Sequence, residues 1–337
     1  MSIRPPCDVI AVGNAIVDLQ VRVDDRFLAT FGANKGEMRL VDDERQARIL
    51  ATLEGHELHA SSGGSAANTV VGIVELGGSA GHCGKVSYDS HGEFYVRDLK
   101  RLGIPLLGAP APKGQTGRTG TCVILVTPDA QRTMFTNLGV SASLSPADIA
   151  PESFDGARWL YVEGYLFPGE TTRHAALKAI EIAKSKGMKV ALTASDPFVI
   201  AQCGDQLWDL IRGPVDLLFC NELEARALTG QDDPIECART IHAAASSVAL
   251  TLGSKGSLLM HAHSTWPIEG VPVDAVDTTG AGDMYAAGIL YGLTRGLDWP
   301  TSGHLASHAA ARVVQHLGAR LPRRFTPDEM CALTARK

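Results

Sequence analysis

A chain of 337 residues, 45% hydrophobic and 20% charged, carries enough apolar material for a substantial core, as one large domain or two small ones, and too much for long disorder. Its formal net charge is -6 with Lys and Arg scattered along the chain, which excludes a basic footprint for nucleic acid or an anionic membrane and leaves a small molecule as the expected partner. Seven cysteines (Cys7, Cys83, Cys122, Cys203, Cys220, Cys237, Cys331) form no CxxC pair, no apolar run reaches the length of a membrane span, and the opening MSIRPPCDVIAVG lacks a signal-peptide layout, so buried thiols in a reducing cytoplasm are expected.

In chain order, DVIAVGNAIVDLQVRV reads as two strands joined at Gly13-Asn14. Asn14 and Asp18 follow the first of them. Loops at the carboxyl ends of strands are where open α/β sheets bind ligands, and this pair can grip sugar hydroxyls, or it can be an Asx turn with a solvated Asp. DDERQARILATLE is helix-like, and a strand-like stretch then ends in Ser61-Ser62-Gly63-Gly64. SAANTVVGIVELGG suits a buried helix starting near Ser65 as N-cap. Asn68, one turn inside, needs a polar partner that a ligand hydroxyl would supply, while tight helix packing explains the neighbouring glycines and alanines equally well.

A short strand, a helix in SHGEFYVRDLKRLG and a hairpin over residues 114–140 come next, the hairpin broken by a Pro-Asp turn. From about residue 157 strand and helix alternate: RWLYVEG, TTRHAALKAIEIAKSKG, MKVALTAS, VDLLFCN, ELEARALTG, SVALTLG, SLLMHA. That rhythm implies right-handed crossovers and an α/β doubly wound, mostly parallel sheet with helices on both faces. The early strands and the hairpin interrupt it, so a small second β-sheet is expected beside the core. One domain over 1–337 follows, with segments of about 14–40, 56–62 and 114–140 forming a lid over a cleft.

Three late stretches carry chemistry. In VDLLFCNELEA, Asn221 and Glu224 can orient a hydrated Mg²⁺ or can simply cap the following helix, and capping is the simpler reading. In TLGSKGS, Thr251, Gly253 and Gly256 can hold nucleotide phosphates or form an ordinary hairpin loop. In DTTGAGD, Asp277 to Asp283, glycines Gly280 and Gly282 around Ala281 let consecutive N–H groups converge on an anion, and the helix-like run after them adds its positive end. Asp283 is placed to accept a proton from an attacking hydroxyl, which makes the inferred chemistry phosphoryl transfer to an alcohol. The plainer alternative is a left-handed turn followed by an Asp N-cap. There is no GxxxxGK[ST] and no GxGxxG after the first strand, and His261 and His263 have no neighbouring metal ligands.

Taken in order, the early Asp, GGSxxN, NxxE, TxGxxG and DTxGAGD resemble the ribokinase-like, or PfkB, family of sugar and nucleoside kinases across nearly the whole chain. The resemblance implies a ribokinase-like α/β core with a small β lid, ATP as donor with Mg²⁺, and in-line attack by a substrate hydroxyl. It makes Asp283 the base and Gly280, Ala281 and Gly282 the anion hole. Asn14, Asp18, Gly64 and Asn68 become binders of the acceptor's hydroxyls, Asn221 and Glu224 organisers of Mg²⁺ through water, and Thr251, Gly253 and Gly256 the lining of the ATP site. Asp277 falls where some members have a loop for a monovalent cation, K⁺. His308 stands where many relatives have Asn near the adenine.

Within the family, KGEMRLVD, YVEGYLF, SDPF and CNELEA are most similar to adenosine kinases. Met38, Leu40, Leu138 and Phe167 then offer an apolar slot for a purine, or are plain core. The alternatives are a PfkB-type sugar kinase for fructose, ribose or 2-keto-3-deoxygluconate, and a non-catalytic nucleoside-sensing protein, which the intact Asp283 disfavours. An exposed lid sheet can pair between subunits, so monomer and homodimer both stay open.

Overall fold

The computed structural model describes residues 7–108 and 117–335. Its strands in chain order are β1 (Val9–Val12), β2 (Ile16–Arg22), β3 (Met38–Leu40), β4 (His59–Gly63), β5 (Ala80–Cys83), β6 (Thr119–Val126) and β7 (Arg132–Gly139). They continue with β8 (Trp159–Glu163), β9 (Lys189–Thr193), β10 (Leu217–Asn221), β11 (Ser247–Thr251), β12 (Gly256–His261) and β13 (Ser264–Glu269). Eight of them form one sheet in the order β13-β12-β11-β10-β9-β8-β1-β5. Its strands run parallel from β5 to β11, and two antiparallel hairpins add β12 and β13 at the far edge.

Period-2 alternation in these strands builds two cores, because successive side chains leave opposite faces of a sheet. Val9, Ala11, Tyr161, Phe219 and Ala249 face one side, where helices Ser65–Glu75, Ala281–Thr294 and Trp299–Val313 cover them. Ile10, Val12, Leu160, Val162, Leu218 and Leu250 face the other, under helices Glu170–Ser185, Pro197–Arg212, Glu222–Thr229 and Pro234–His242. Each fully buried aliphatic side chain contributes about 1.5–3 kcal/mol, so strands apolar on both faces are held far more firmly than one-sided ones.

The remaining five strands form a second sheet, β3-β7-β6-β2-β4. Of the expected lid segments, residues 114–116 lie outside the described residues. One face of this sheet (Val17, Leu19, Val123, Leu125, Phe135) joins the first core, with Gln46 of helix Asp43–Thr52 donating to the Thr121 hydroxyl at 2.9 Å. The register puts Asp18 opposite Cys122, Cys122 opposite Thr136, and Met38 beside Met134. Arg132, Met134, Thr136 and Leu138 alternate onto that same opposite face. That face carries only a small apolar cluster, Ile16, Cys122, Ile124 and Val126 with Met134 and Leu317. No disulfide joins the seven cysteines, five of which are buried, and no helix among the described residues is long and apolar enough to cross a membrane.

Candidate active site

The parallel strands all end on one edge of the large sheet, so Asn14 after β1, Glu163 ending β8, Asn221 ending β10 and Thr251 ending β11 share that edge. From β1 the chain goes one way to β5 and the other way to β8 and onward. Such a reversal opens a crevice where open α/β sheets bind ligands.

The DTTGAGD turn lies at the start of helix Ala281–Thr294. Gly280 takes φ +74°, and a Cβ there would sit 2.4 Å from the Cβ of Ala319, so conformation and packing both demand glycine. Gly282 differs from the expectation drawn from sequence: it lies inside the first helical turn without a positive φ, and a Cβ there would meet nothing. Asp277 Oδ1 takes the Thr279 N–H, and the Thr278 carbonyl takes the Ala281 N–H at 3.3 Å. Among the described residues, the N–H groups of Gly280, Gly282 and Asp283 meet no acceptor in the chain. Three donors at the positive end of a helix make a site for an anion.

The two carboxylates of the turn have separate tasks. Asp277 is fully buried; its Oδ1 accepts the Thr279 N–H (2.8 Å) and hydroxyl (2.6 Å) and its Oδ2 the Gly318 N–H (2.8 Å), which staples the turn to the segment after helix Trp299–Val313. Three donors thus hold the Asp277 carboxylate in place. Asp283 is no N-cap; Gly280 takes that position. The Asp283 side chain turns across to helix Ser65–Glu75, accepting the Ser65 hydroxyl at 2.7 Å and the Asn68 amide at 3.1 Å, one on each oxygen. Burial raises its pKa above the usual Asp value, against those two hydrogen bonds and the Arg132 charge.

The acceptor-side residues gather at the same place. Asp18 is 4% exposed, takes no side-chain hydrogen bond, and burial pushes its pKa up to about 7 despite the Arg320 charge. Gly63 makes room for it, since a Cβ there would fall 2.2 Å from the carboxyl carbon. Gly64 (φ +97°) passes so close to the Asn14 carbonyl that a Cβ would lie 2.0 Å from it. Gly64, not Ser65, is the residue before the helix, which frees the Ser65 hydroxyl for Asp283. Asn68 Oδ1 is buried without a partner. Asn14 is more committed than expected: its amide nitrogen donates to Glu163 at 2.6 Å and its Oδ1 accepts from Ser141 at 3.0 Å.

On the other side, Asn221 and Glu224 form a reciprocal capping box, with Asn221 Oδ1 accepting the Glu224 N–H at 2.9 Å and Glu224 accepting the Asn221 N–H (3.0 Å) and amide (2.6 Å). Burial raises Glu224 to about 7, the Asp196 and Asp283 charges add to that, and Arg132 opposes it. Thr251 pairs with Ser257 in the β11–β12 hairpin. Gly253 has open space before it, whereas Gly256 (φ +100°) is required by its close approach to β13, its Cβ position lying 2.0 Å from the Ile268 carbonyl. His308 borders a cavity of about 310 Å³ with Val271, Val273, Arg312 and Glu329.

The apolar slot is partly corrected. Met38 and Leu138 are half-buried and Leu40 is exposed. Phe167 is 1% exposed and packs in the second core, so it presents no face to a ligand. The half-buried aromatics nearby are Tyr165 and Phe198, with ring centroids 6.0 Å apart. Tyr165 feels the charges of Asp196, Glu224, Arg132 and Asp283, which puts it beside the cleft. Sequence reading also missed Arg132, whose guanidinium crosses from β7 of the second sheet to the Thr278 carbonyl in the DTTGAGD turn. An arginine in a hairpin strand carries no signal until the strand's facing is known.

A sequence model of the pfkB family of carbohydrate kinases matches residues 27–325. The crystal structure of adenosine kinase from Sinorhizobium meliloti is similar at a TM-score of 0.89 and 34% identity, covering 95% of this chain and 97% of that one. Guanosine-inosine kinase of Escherichia coli strain K12 is 29% identical over 239 residues, 67% of this chain, and the aligned stretch spans about half (54%) of that relative's length. Adenosine kinase of Saccharomyces cerevisiae is 26% identical over 338 residues, covering 93% of this chain and 96% of the relative.

Proposed function

The chain belongs to the pfkB family of carbohydrate kinases, and on that premise we propose that it transfers the γ-phosphoryl group of ATP to the hydroxymethyl group of a nucleoside, with adenosine to AMP as the preferred reaction. What carries this reading is Asp283, its two oxygens oriented by Ser65 and Asn68, beside backbone N–H groups that meet no acceptor. The carboxylate takes the proton of the attacking hydroxyl as the new O–P bond forms and the bond from the γ-phosphorus to the departing ADP oxygen breaks, a contribution of about 10²–10⁴ in rate for a positioned base. The N–H groups of Gly280, Gly282 and Asp283 receive the charge on the transferred phosphoryl oxygens. Arg132 adds a positive charge over the same turn.

The Asp18 carboxylate and the Asn68 carbonyl oxygen, the latter buried without a partner, accept hydrogen bonds from the acceptor's hydroxyls. Met38, Met134 and Leu138, on the same face of the second sheet as Arg132, and the half-buried rings of Tyr165 and Phe198 supply apolar surface for a flat base. The second sheet acts as a lid, since Arg132 already bridges it to the anion turn. Thr251 and Gly253 line the nucleotide side, and the cavity at His308 takes the donor's base. Asn221 and Glu224, committed to each other, fit Mg²⁺ through water only, and the ion would offset phosphate charge there.

A sugar kinase is the second reading, favoured by the same Asp18 and Asn68, because ribose and a free sugar present similar hydroxyls. ATP consumption measured with adenosine, inosine, ribose, fructose and 2-keto-3-deoxygluconate separates the two. The highest kcat/KM is expected for adenosine; a free sugar at the head of the panel replaces the nucleoside reading, and binding without any turnover leaves a nucleoside sensor.

A further inference from the structure

β8 ends on a carboxylate to which phosphoryl transfer gives no task. Glu163 is 1% exposed, in the strand next to β1 where the strand order reverses. Its Oε1 accepts both the backbone N–H and the side-chain amide of Asn14, each at 2.6 Å, and its Oε2 accepts the Ala66 N–H at 3.0 Å. The hydrogen-bond chain continues: Asn14 Oδ1 accepts from the Ser141 hydroxyl at 3.0 Å, and that hydroxyl oxygen accepts the Ala15 N–H at 3.0 Å. Gly13 leaves room for the carboxylate, since a Cβ there would lie 2.5 Å from Oε2.

These partners mark where the chain passes between the two sheets. It leaves the large sheet between β1 and β2 at residues 13–15, comes back between β4 and helix Ser65–Glu75, and comes back again after β7 at Val140–Ser143. Glu163 holds the first two crossings directly and the third through Asn14. No Lys or Arg pairs with it among the described residues. A carboxylate buried without a cation is costly, and burial pushes its pKa up to about 7 against its three donors. An apolar side chain would fill the space at less cost but would leave three buried donors unsatisfied.

We propose that Glu163 is the positioning residue of the acceptor subsite: by tying the crossings of the second sheet to the large one, it fixes Asn14 and the Gly64–Asn68 stretch where an acceptor hydroxyl meets them. This rests on the kinase reading above. Glu163→Gln keeps the shape but replaces one acceptor with an amide N–H₂ that opposes the donors of Asn14 or Ala66.

The test combines steady-state kinetics with amide hydrogen exchange on the full chain, wild type against Glu163→Gln and Ser141→Ala. Glu163→Gln is expected to raise the acceptor KM about tenfold with the ATP KM unchanged, and to speed exchange at Asn14 and Ala66; Ser141→Ala is expected to raise the acceptor KM about threefold. A residue that merely stabilises the fold would lower the melting temperature without splitting the two KM values. Unchanged acceptor KM and unchanged exchange in a folded Glu163→Gln protein overturn the proposal while leaving the kinase reading intact. If Glu163→Gln does not fold, an unchanged acceptor KM in Ser141→Ala overturns it. A wild type that phosphorylates no acceptor sinks the kinase reading, and the exchange data then decide separately whether Glu163 holds the crossings.

Discussion

Where β2, β4 and helix Ser65–Glu75 meet, Asn68 Oδ1 is buried without a donor, and the Asp18 carboxylate takes no side-chain hydrogen bond from the described residues. Where β10 and β11 end, Asn221 and Glu224 satisfy each other through three hydrogen bonds. An unpartnered buried acceptor costs about 1–3 kcal/mol, so the first region is complete only when a ligand donates to it, while the second stands on its own. In the proposed function the first side selects its ligand by hydroxyl groups, and the second offers backbone and capped helix ends to a charged donor. Asp283 and Arg132 lie between them and act on both.

The comparison is broken most severely at that junction. Asp283→Asn is expected to lower kcat by about 10³ or more while acceptor affinity stays within about tenfold, ~1.4 kcal/mol, as stopped-time assays and calorimetry would show. Near-wild-type turnover would remove the base. Arg132→Ala should lower kcat by about 10², since it withdraws a charge from beside the anion turn, and an unchanged kcat would reduce its bond to Thr278 to a structural tie. Asn221→Ala should cost about 1 kcal/mol of stability through its lost cap and raise the Mg²⁺ requirement, with the acceptor KM unmoved; a raised acceptor KM would blur the line between the two sides.

The smallest effect is a displacement in pH. Burial raises the pKa of Asp283, and the base works only when ionised, so kcat should fall with decreasing pH at a higher pH than an exposed aspartate would set. The Glu163 and Asp18 carboxylates, both pushed up to about 7 by burial, also titrate above the usual carboxylate range, so the limb attributed to Asp283 must be absent from the residual activity of Asp283→Asn. Folding linkage runs the opposite way: a carboxyl with a raised folded pKa stabilises below its unfolded pKa, and that contribution is lost as pH rises through about 7.

Much of this was legible in the chain. Strand and helix alternation after residue 157 gave the parallel sheet because each such strand is apolar throughout and each helix carries its own stripe. DTTGAGD was readable as a glycine-dependent turn into a helix, and Gly280 takes φ +74° at that helix's start. What could not be read is which side chains meet across distances in sequence. Ser65 looked like a cap and proved to be a partner of Asp283, 218 positions away. Phe167 looked like a ligand face and proved to be core, since an aromatic near a strand end has no marked facing until the sheet is assembled. Glu163, in a run of buried strand residues, had no visible partner because Asn14 and Ala66 reach it only in the fold.

The central claim, that the unpartnered groups around Asp18 and Asn68 await the hydroxyls of a ribose, is tested most directly by comparing kcat/KM for adenosine and 2′,3′-dideoxyadenosine, which keeps the base and the 5′-hydroxyl. A site built to hydrogen-bond hydroxyls should reject the dideoxy compound by about 10² or more. Equal values for the two nucleosides would contradict the account.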